Sequence, residues 1–254
     1  MPENALLLSL PDDERDLILE HASPVHLSQQ HVLFHPGDPI EHVYFPRSGV
    51  ISLLMTAQGG RAIETGIIGR EGLVGGEALL GAAQATARAV AQNGGDAVRI
   101  RASLVRQSVK RLPVFTELIN RHIAAMLLQA RQNALCHALH SIEARFCRWL
   151  LQASDALESS KVDMTQEACA QVLGVQRTSV SMVAHALQRR GSIRTRRGKI
   201  EIVDRERLEQ TACECYLELK RRLSHEASTE VLPGRRPDEV FAASARQAPS
   251  TYAK

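Results

Sequence analysis

The sequence predicts an α+β chain of three parts in series: a glycine-punctuated β-sandwich or roll, a long helix, and a winged helix-turn-helix. Three observations carry this reading. Up to residue 102, glycines and turn signals break the chain into short apolar runs. From Ser103 to Ser154 there is no glycine and one proline, Pro113, and apolar residues return at helical spacing. From Val162 to about Arg222, two short helical patterns around one glycine precede an alternating hairpin.

In the first part, His35-Pro36-Gly37-Asp38, Ser48-Gly49, Gly59-Gly60, Gly75-Gly76 and Gly94-Gly95 mark turns. Between them lie His42 to Phe45, Val50 to Met55, Ala62 to Ile68, Ala87 to Ala91 and Ala97 to Ile100, each read as a strand. Val50 to Met55 does not alternate, so its assignment rests on length and flanking glycine.

In the second part, Val114, Leu118, Ile119, Ile123, Met126 and Leu127 form an apolar stripe, continued by Leu135, Leu139, Ile142, Phe146 and Leu150. Pro113 suits the first turn of a helix, where its missing N–H has no intrahelical partner anyway. A glycine-free helix of ~25 residues, ~37 Å at 1.5 Å per residue, needs a partner surface and is read as a dimerisation helix. The alternative packs it wholly onto its own domain.

A polar linker is read at Ser154 to Lys161. Beyond it, the segment Met164 to Asp204 carries the functional signal. Thr165 is placed to cap a helix whose inner face is Ala168, Ala170 or Val172, and Leu173, and which Gly174 ends. A second helix starts near Gln176-Arg177. Val180, Val183, Ala184 and Leu187 share one arc; Arg177, Thr178, Ser181, Met182, His185, Gln188 and Arg189 share the other. Such a second helix enters the major groove with its N-terminal residues at base edges. Arg177 can donate two hydrogen bonds to guanine O6 and N7, Thr178 and Ser181 can reach bases or phosphates, and Met182 offers only apolar contact. Gly191 ends the helix, and a hairpin follows around Arg197-Gly198. Arg189 to Lys199 holds six basic residues (Arg189, Arg190, Arg194, Arg196, Arg197, Lys199) and no acid, a composition suited to phosphates. The expected DNA-facing set is Thr165, Gln176, Arg177, Thr178, Ser179, Ser181, Met182, His185, Arg189, Arg194, Arg196, Arg197 and Lys199.

With these motifs in hand, the chain resembles the Crp/Fnr family of bacterial transcription regulators over roughly residues 10 to 220. Leu173-Gly174-Val175-Gln176-Arg177-Thr178-Ser179-Val180-Ser181 resembles that family's Leu-Gly-Val-Ser-Arg-Glu-Thr-Val-Ser, and Phe34-His35-Pro36-Gly37-Asp38 and Arg47-Ser48-Gly49-Val50 resemble its first roll turns. The resemblance implies a cyclic-nucleotide-binding-like β-roll of double-stranded β-helix, jelly-roll-like form (1–102), a dimerisation helix region (103–140) and a winged helix-turn-helix (141–222); the remainder (223–254), with Pro233-Gly234, Pro237, Pro249 and many Ala and Ser, is read from its composition as a disordered tail. The resemblance also implies a homodimer on inverted-repeat DNA, with RNA polymerase as a further partner; a cytoplasmic setting is expected from the residues themselves, which show no signal peptide or membrane span. Arg177 matches the family's base-reading arginine. Thr178 replaces its glutamate, and Met182 stands where many members carry a second arginine, so a different target site is expected.

Members that bind cyclic AMP hold its phosphate with Gly-Glu and, about ten residues on, Arg-Ser-Ala. Gly76-Glu77 resembles the first pair. If Thr86-Ala87 matches Ser-Ala, Ala85 replaces the arginine, and Arg88 falls on the opposite face of a strand. The candidate effector residues are therefore Gly76, Glu77, Thr86 and Arg88. Cyclic-nucleotide binding is disfavoured because a buried phosphate needs its cation. No cofactor is assigned, and a different effector or none is expected.

Five cysteines, Cys136, Cys147, Cys169, Cys213 and Cys215, all lie in the second half, so an N-terminal iron–sulfur cluster is not expected. Cys136 and His140 have the i, i+4 spacing that metals use, but a buried helix interface is the simpler reading. Cys213 and Cys215 are read as diverging on one helix, and His21, His26, His31, His35 and His42 as scattered surface residues. No metal site is assigned. The start lacks a basic region and is read as no signal peptide, and no apolar run reaches a membrane span. Catalytic motifs are lacking, so an enzyme is not expected. The alternative to a DNA regulator is a small-molecule-binding module whose helix-turn-helix serves protein contacts. The basic Arg189–Lys199 stretch argues against that alternative. The net charge of +3, from 31 Lys+Arg against 28 Asp+Glu, says little by itself; Ala138 to Arg222 holds 15 basic and 11 acidic residues, so the basic excess lies in the DNA-binding half.

Overall fold

A computed structural model describes residues 3–228, with side chains described to residue 223. Two short helices, α1 (Ala5–Leu8) and α2 (Asp12–Leu19), precede seven strands: β1 (Ser23–Leu27), β2 (Val32–Phe34), β3 (His42–Pro46), β4 (Val50–Thr56), β5 (Ala62–Ile68), β6 (Arg88–Asn93) and β7 (Gly95–Arg101). A 3-10 turn, Gly76–Leu80, lies between β5 and β6. Then come α3 (Ala102–Val109), α4 (Pro113–Leu139), α5 (Ile142–Leu157), β8 (Lys161–Asp163), α6 (Gln166–Leu173), α7 (Arg177–Arg189), β9 (Ile193–Arg196), β10 (Lys199–Ile202), α8 (Arg205–Thr211) and α9 (Cys215–Ser228).

The roll consists of two antiparallel sheets, β1-β7-β3 and β2-β6-β4-β5, and the wing is a third, β8-β10-β9. All five strands expected from sequence are present. The three that sequence misses, β1, β2 and β8, are all edge strands. They are short and mostly exposed or half-buried, and β1 contains Pro24, which an edge tolerates. The unbroken apolar run of β4 also has its reason. Ile51 faces the roll interior, while Val50 and Leu54 face a second core built on the C-terminal helices. Both faces of this strand are covered, so alternation disappears.

That second face carries the principal polar contact of the fold. Glu64 on β5 lies opposite Leu54 and is buried. Its carboxylate accepts hydrogen bonds from the Ser52 hydroxyl of β4 and from Trp149 Nε1 of α5, the latter at 3.0 Å. Burial pushes the Glu64 carboxyl up from 4.5 to about 7. Around it Val50, Leu54, Ala62, Ile67 and Val90 of the sheet join Phe146, Trp149, Leu150, Leu173 and Val180 in one cluster.

The central helix α4 is clamped at its start by Glu14, whose carboxylate accepts from the backbone N–H of Val114 and of Phe115 (2.8 Å). These are donors that a helix start leaves unpaired. Further along, its inward face is polar. Gln129 exchanges two hydrogen bonds with the backbone of Ile67, at 3.0 and 3.2 Å, completing the free edge of β5. The helix therefore packs on its own roll through Phe115, Ile119, His122, Gln129 and Asn133, and leaves Leu127, Leu135 and Leu139 exposed on other faces.

Two expectations are corrected. Ser154 to Lys161 is not a free linker: α5 runs to Leu157, and Lys161 opens an edge strand of the wing, so the chain breaks instead at His140–Ser141. Helix α9 continues to Ser228, past the expected tail boundary at 223; the rest of that expected tail, 229–254, lies outside the described residues. Among the described residues no helix is long and apolar enough to cross a membrane.

The raised Glu64 pKa makes the packing of the C-terminal helices on this sheet pH-dependent. An unfolded chain releases this proton near 4.5 and the folded chain near 7. The associated stability is thus complete below the lower value and is lost as pH rises through the upper one. Denaturant midpoints for wild type and Glu64→Gln at about pH 5 and about pH 8 are expected to show the wild type losing more stability than the variant. Equal losses would mean that Glu64 is already ionised in the fold.

Candidate nucleic-acid interface

The helix-turn-helix is assembled by short-range rules. The Thr165 hydroxyl accepts from Ala168 N at 3.1 Å and caps α6. Gly174 takes φ +65° at the end of α6, and a Cβ there would sit 3.1 Å from Ile63 of β5, so both conformation and space ask for glycine. Helix α6 buries Ala168, Cys169, Ala170, Val172 and Leu173, and α7 buries Val180, Ala184 and Leu187. At the other end, the turn Arg197-Gly198 has two consecutive positive φ angles, +36° and +79°, as a two-residue hairpin requires.

What remains outward on α7 is Gln176, Arg177, Thr178, Met182, His185 and Arg189, with Ser179 and Ser181 half-buried. Met182 is 71% exposed, a large apolar side chain held in water on the face that is otherwise polar. The wing tip brings Arg196, Arg197 and Lys199 round to the same cleft, which also takes in Thr165, Gln166 and Arg177 and has a volume of about 430 Å³. The wing is tied to α7 by Gln188, whose side-chain oxygen accepts from both Thr195 N (3.0 Å) and Thr195 Oγ1 (2.7 Å).

The cations of this face differ in their availability. Arg194 is paired with Glu201 at 3.0 Å and Lys199 with Asp163 at 3.3 Å. Among the described residues, Arg177, Arg189, Arg196 and Arg197 take part in no salt bridge. Ser181 is also committed: its hydroxyl donates to Gln166 Oε1 at 2.6 Å, holding α6 against α7, with the Arg177 carbonyl of its own helix 3.1 Å away as the competing acceptor. Gln166 and Gln188, which organise this face, are not in the expected set. Their signal was only that of polar residues on helices, which any solvated face shares.

Of the candidate effector residues, Arg88 is engaged outside the roll interior. Gly76 and Glu77 lie on the 3-10 turn and Thr86 is exposed. Arg88 points to the outer face of its sheet, where Nη2 donates to Gln171 of α6 at 2.8 Å. Ala85, at the position of the missing arginine, is buried in the roll core.

Residues 144–211 match the Crp-like helix-turn-helix domain family, and residues 24–111 match the cyclic nucleotide-binding domain family. The chain belongs to the Crp/Fnr family of transcriptional regulators. It is 24% identical over 202 residues to a CRP-like cAMP-activated global transcriptional regulator of Mycobacterium tuberculosis, covering 77% of this chain and 90% of the relative. In fold it is similar to a crp/fnr family regulator from Eubacterium rectale (TM-score 0.64, 20% identity, 81% of this chain and 96% of that one). It is similar also to FixK2 from Bradyrhizobium japonicum (TM-score 0.66, 16% identity, 76% and 98%). As a Crp/Fnr regulator it joins a cyclic-nucleotide-binding-like domain to a DNA-binding helix-turn-helix.

The unpaired wing cations yield a direct expectation. Replacing Arg196 and Arg197 together by alanine should weaken binding to every duplex similarly. The salt dependence, measured by fluorescence anisotropy against log salt, should become shallower by about 1–2, at ~0.9 for each phosphate no longer neutralised. An unchanged slope would take the wing off the phosphate backbone.

Proposed function

We propose that this regulator acts as a homodimer on an inverted-repeat site, each copy inserting the first turns of α7 into a major groove. The observation that carries the reading is the outward first turn Gln176-Arg177-Thr178, with the unpaired Arg177 facing the wing cations across one cleft. In this reading Arg177 donates to a guanine, Thr178 and Ser179 meet bases or phosphates, and Met182 and His185 extend the contact along the groove. Met182 cannot donate a hydrogen bond, so it favours an apolar edge such as a thymine methyl. Arg189, Arg196 and Arg197 hold phosphates, while Thr165, Arg194 and Lys199 flank them.

Dimerisation is proposed along α4. Leu127, Leu135 and Leu139 are 50%, 44% and 72% exposed, and with exposed Ala124, Ala134 and Ala138 they form a small-and-large apolar stripe. A second copy of the same helix covers such a stripe at heptad-like spacing. The two reading helices then lie about 34 Å apart, one turn of duplex. RNA polymerase is proposed as a further partner from family membership alone, and the cytoplasm as the setting.

The sensor roll is proposed to have changed its ligand. With Ala85 in the core and Arg88 bound to Gln171, an anionic phosphate inside the roll meets no arginine from this strand. A different effector, or none, follows.

The test is selection of bound duplexes from a random pool, followed by affinity measurements on the selected site. Inverted repeats should emerge, and Arg177→Ala should cost about 1–3 kcal/mol on that site while sparing random duplex. Leu135→Asp should convert the protein to a monomer by sedimentation and abolish preference for the full repeat over a half-site. Selection of single, non-repeated sites by a monomeric wild type would refute the dimer.

A further inference from the structure

Cys136-x3-His140 and Cys213-x-Cys215 are far apart in the sequence, and the fold unites them. Cys213 does not lie on a helix with Cys215. It sits in the connection between α8 and α9, and Cys215 opens α9, so the two side chains converge instead of diverging. They meet the last turn of α4 at the break before α5. One ligand atom from each of Cys136, His140, Cys213 and Cys215 lies within 4.8 Å of all the others.

The spacing within this group is that of a coordination shell. Cys136 Sγ and Cys213 Sγ are 3.5 Å apart, and Cys215 Sγ and His140 Nδ1 are 3.5 Å apart. A tetrahedral zinc ion with Zn–S of ~2.3 Å and Zn–N of ~2.0 Å has S···S edges of about 3.8 Å and S···N edges of about 3.5 Å. A disulfide would bring the sulfurs to ~2.05 Å; all five cysteines are free thiols. The three thiols are buried, and His140 closes the group from the solvent side with its side chain 17% exposed.

The surroundings also suit an ion. The other imidazole nitrogen of His140, Nε2, is 3.1 Å from Glu214 Oε1, an outer carboxylate that orients the ring and fixes Nδ1 as the free ligand. Gln132 Nε2 donates to Cys215 Sγ at 3.0 Å, a bond that a thiolate accepts well. Two buried guanidiniums, Arg145 and Arg148, act electrostatically on Cys136. Neither is in a salt bridge among the described residues. Three thiolates and one imidazole around a dication carry a net charge of −1, which such cations balance.

We propose that Cys136, His140, Cys213 and Cys215 form a closed, tetrahedral structural zinc site that fastens the α8–α9 connection to the hinge at the end of α4. The donor set of three soft thiolates and an imidazole selects Zn²⁺ over the oxygen-seeking ions. Its four protein ligands leave no open position, so the ion is structural and not catalytic. His140 is the last residue before the chain turns into the DNA-binding helices, and coordination would fix the angle of that turn.

Reduced full-length protein, stripped of metal, is titrated with Co²⁺ and then with Zn²⁺, and metal content is measured after exchange into a chelator-containing buffer. One equivalent of Co²⁺ per chain is expected, with thiolate-to-cobalt charge transfer and the strong visible bands of a tetrahedral site, both erased by Zn²⁺. Cys213→Ser and His140→Ala should lose that spectrum, and Glu214→Gln should weaken affinity roughly tenfold or more. Cys147→Ser and Cys169→Ser, at buried thiols outside the group, should retain it. Failure of the folded, reduced wild type to take up Co²⁺ overturns the proposal, as does uptake unchanged by Cys213→Ser and Cys215→Ser. Formation of a Cys136–Cys213 disulfide by a protein that takes up no ion also overturns it, in favour of a redox pair.

Discussion

One covered sheet determines how this molecule is put together. The outer face of β2-β6-β4-β5 cannot face water, because Val50, Leu54, Ala62 and Ile67 line it around a carboxyl, Glu64, that is itself buried. The C-terminal helices cover it. Trp149 supplies both the bulk and the N–H that Glu64 needs, so apolar burial and polar satisfaction are met by the same residue. The sensor sheet and the DNA-binding helices therefore share a core instead of being joined by a tether.

This sharing places the reading head. Helix α5 lies on the sheet through Phe146, Trp149 and Leu150, and α6 follows it with Gly174 against Ile63 and Gln171 on Arg88. Arg145 Nη1 donates to the Leu173 carbonyl at 3.1 Å, tying the end of α6 to α5. Gln29 and Asn93 of the roll both donate to the Asp163 carbonyl at the edge of the wing sheet. The outward first turn of α7 is thus held in register with the roll by contacts on three of its neighbours. An effector that altered the roll sheet would act on α7 through a packed surface, the kind of bistable contact that regulated proteins use.

The sequence made much of this legible, for physical reasons that differ by element. The helix-turn-helix could be read residue by residue, because Thr165, Gly174, Gly191 and Arg197-Gly198 are local signals whose meaning does not depend on the rest of the chain. The central helix was legible through its lack of glycine, and its 27 residues agree with the expected length. The edge strands β1, β2 and β8 were not legible, since each is only three to five residues long and mostly exposed or half-buried, too short for a pattern to declare itself. Nor was the commitment of Ser181 to Gln166, or of Arg88 to Gln171, because these pair residues 15 and 83 positions apart. The cysteine group was hidden for the same reason: its halves are 77 positions apart, and the helix assumed for Cys213 does not begin until Cys215.

The claim that the sensor sheet and the DNA-binding helices share one core can be tested with the single tryptophan of the chain, which lies in that core. Trp149 fluorescence and far-UV circular dichroism are followed through the same denaturant titration. A shared core requires the two transitions to coincide, because Trp149 cannot meet water while the sheet remains folded beneath it. A Trp149 transition that is complete before the strands and helices are lost would contradict it, and would make the DNA-binding domain an independent unit on a hinge.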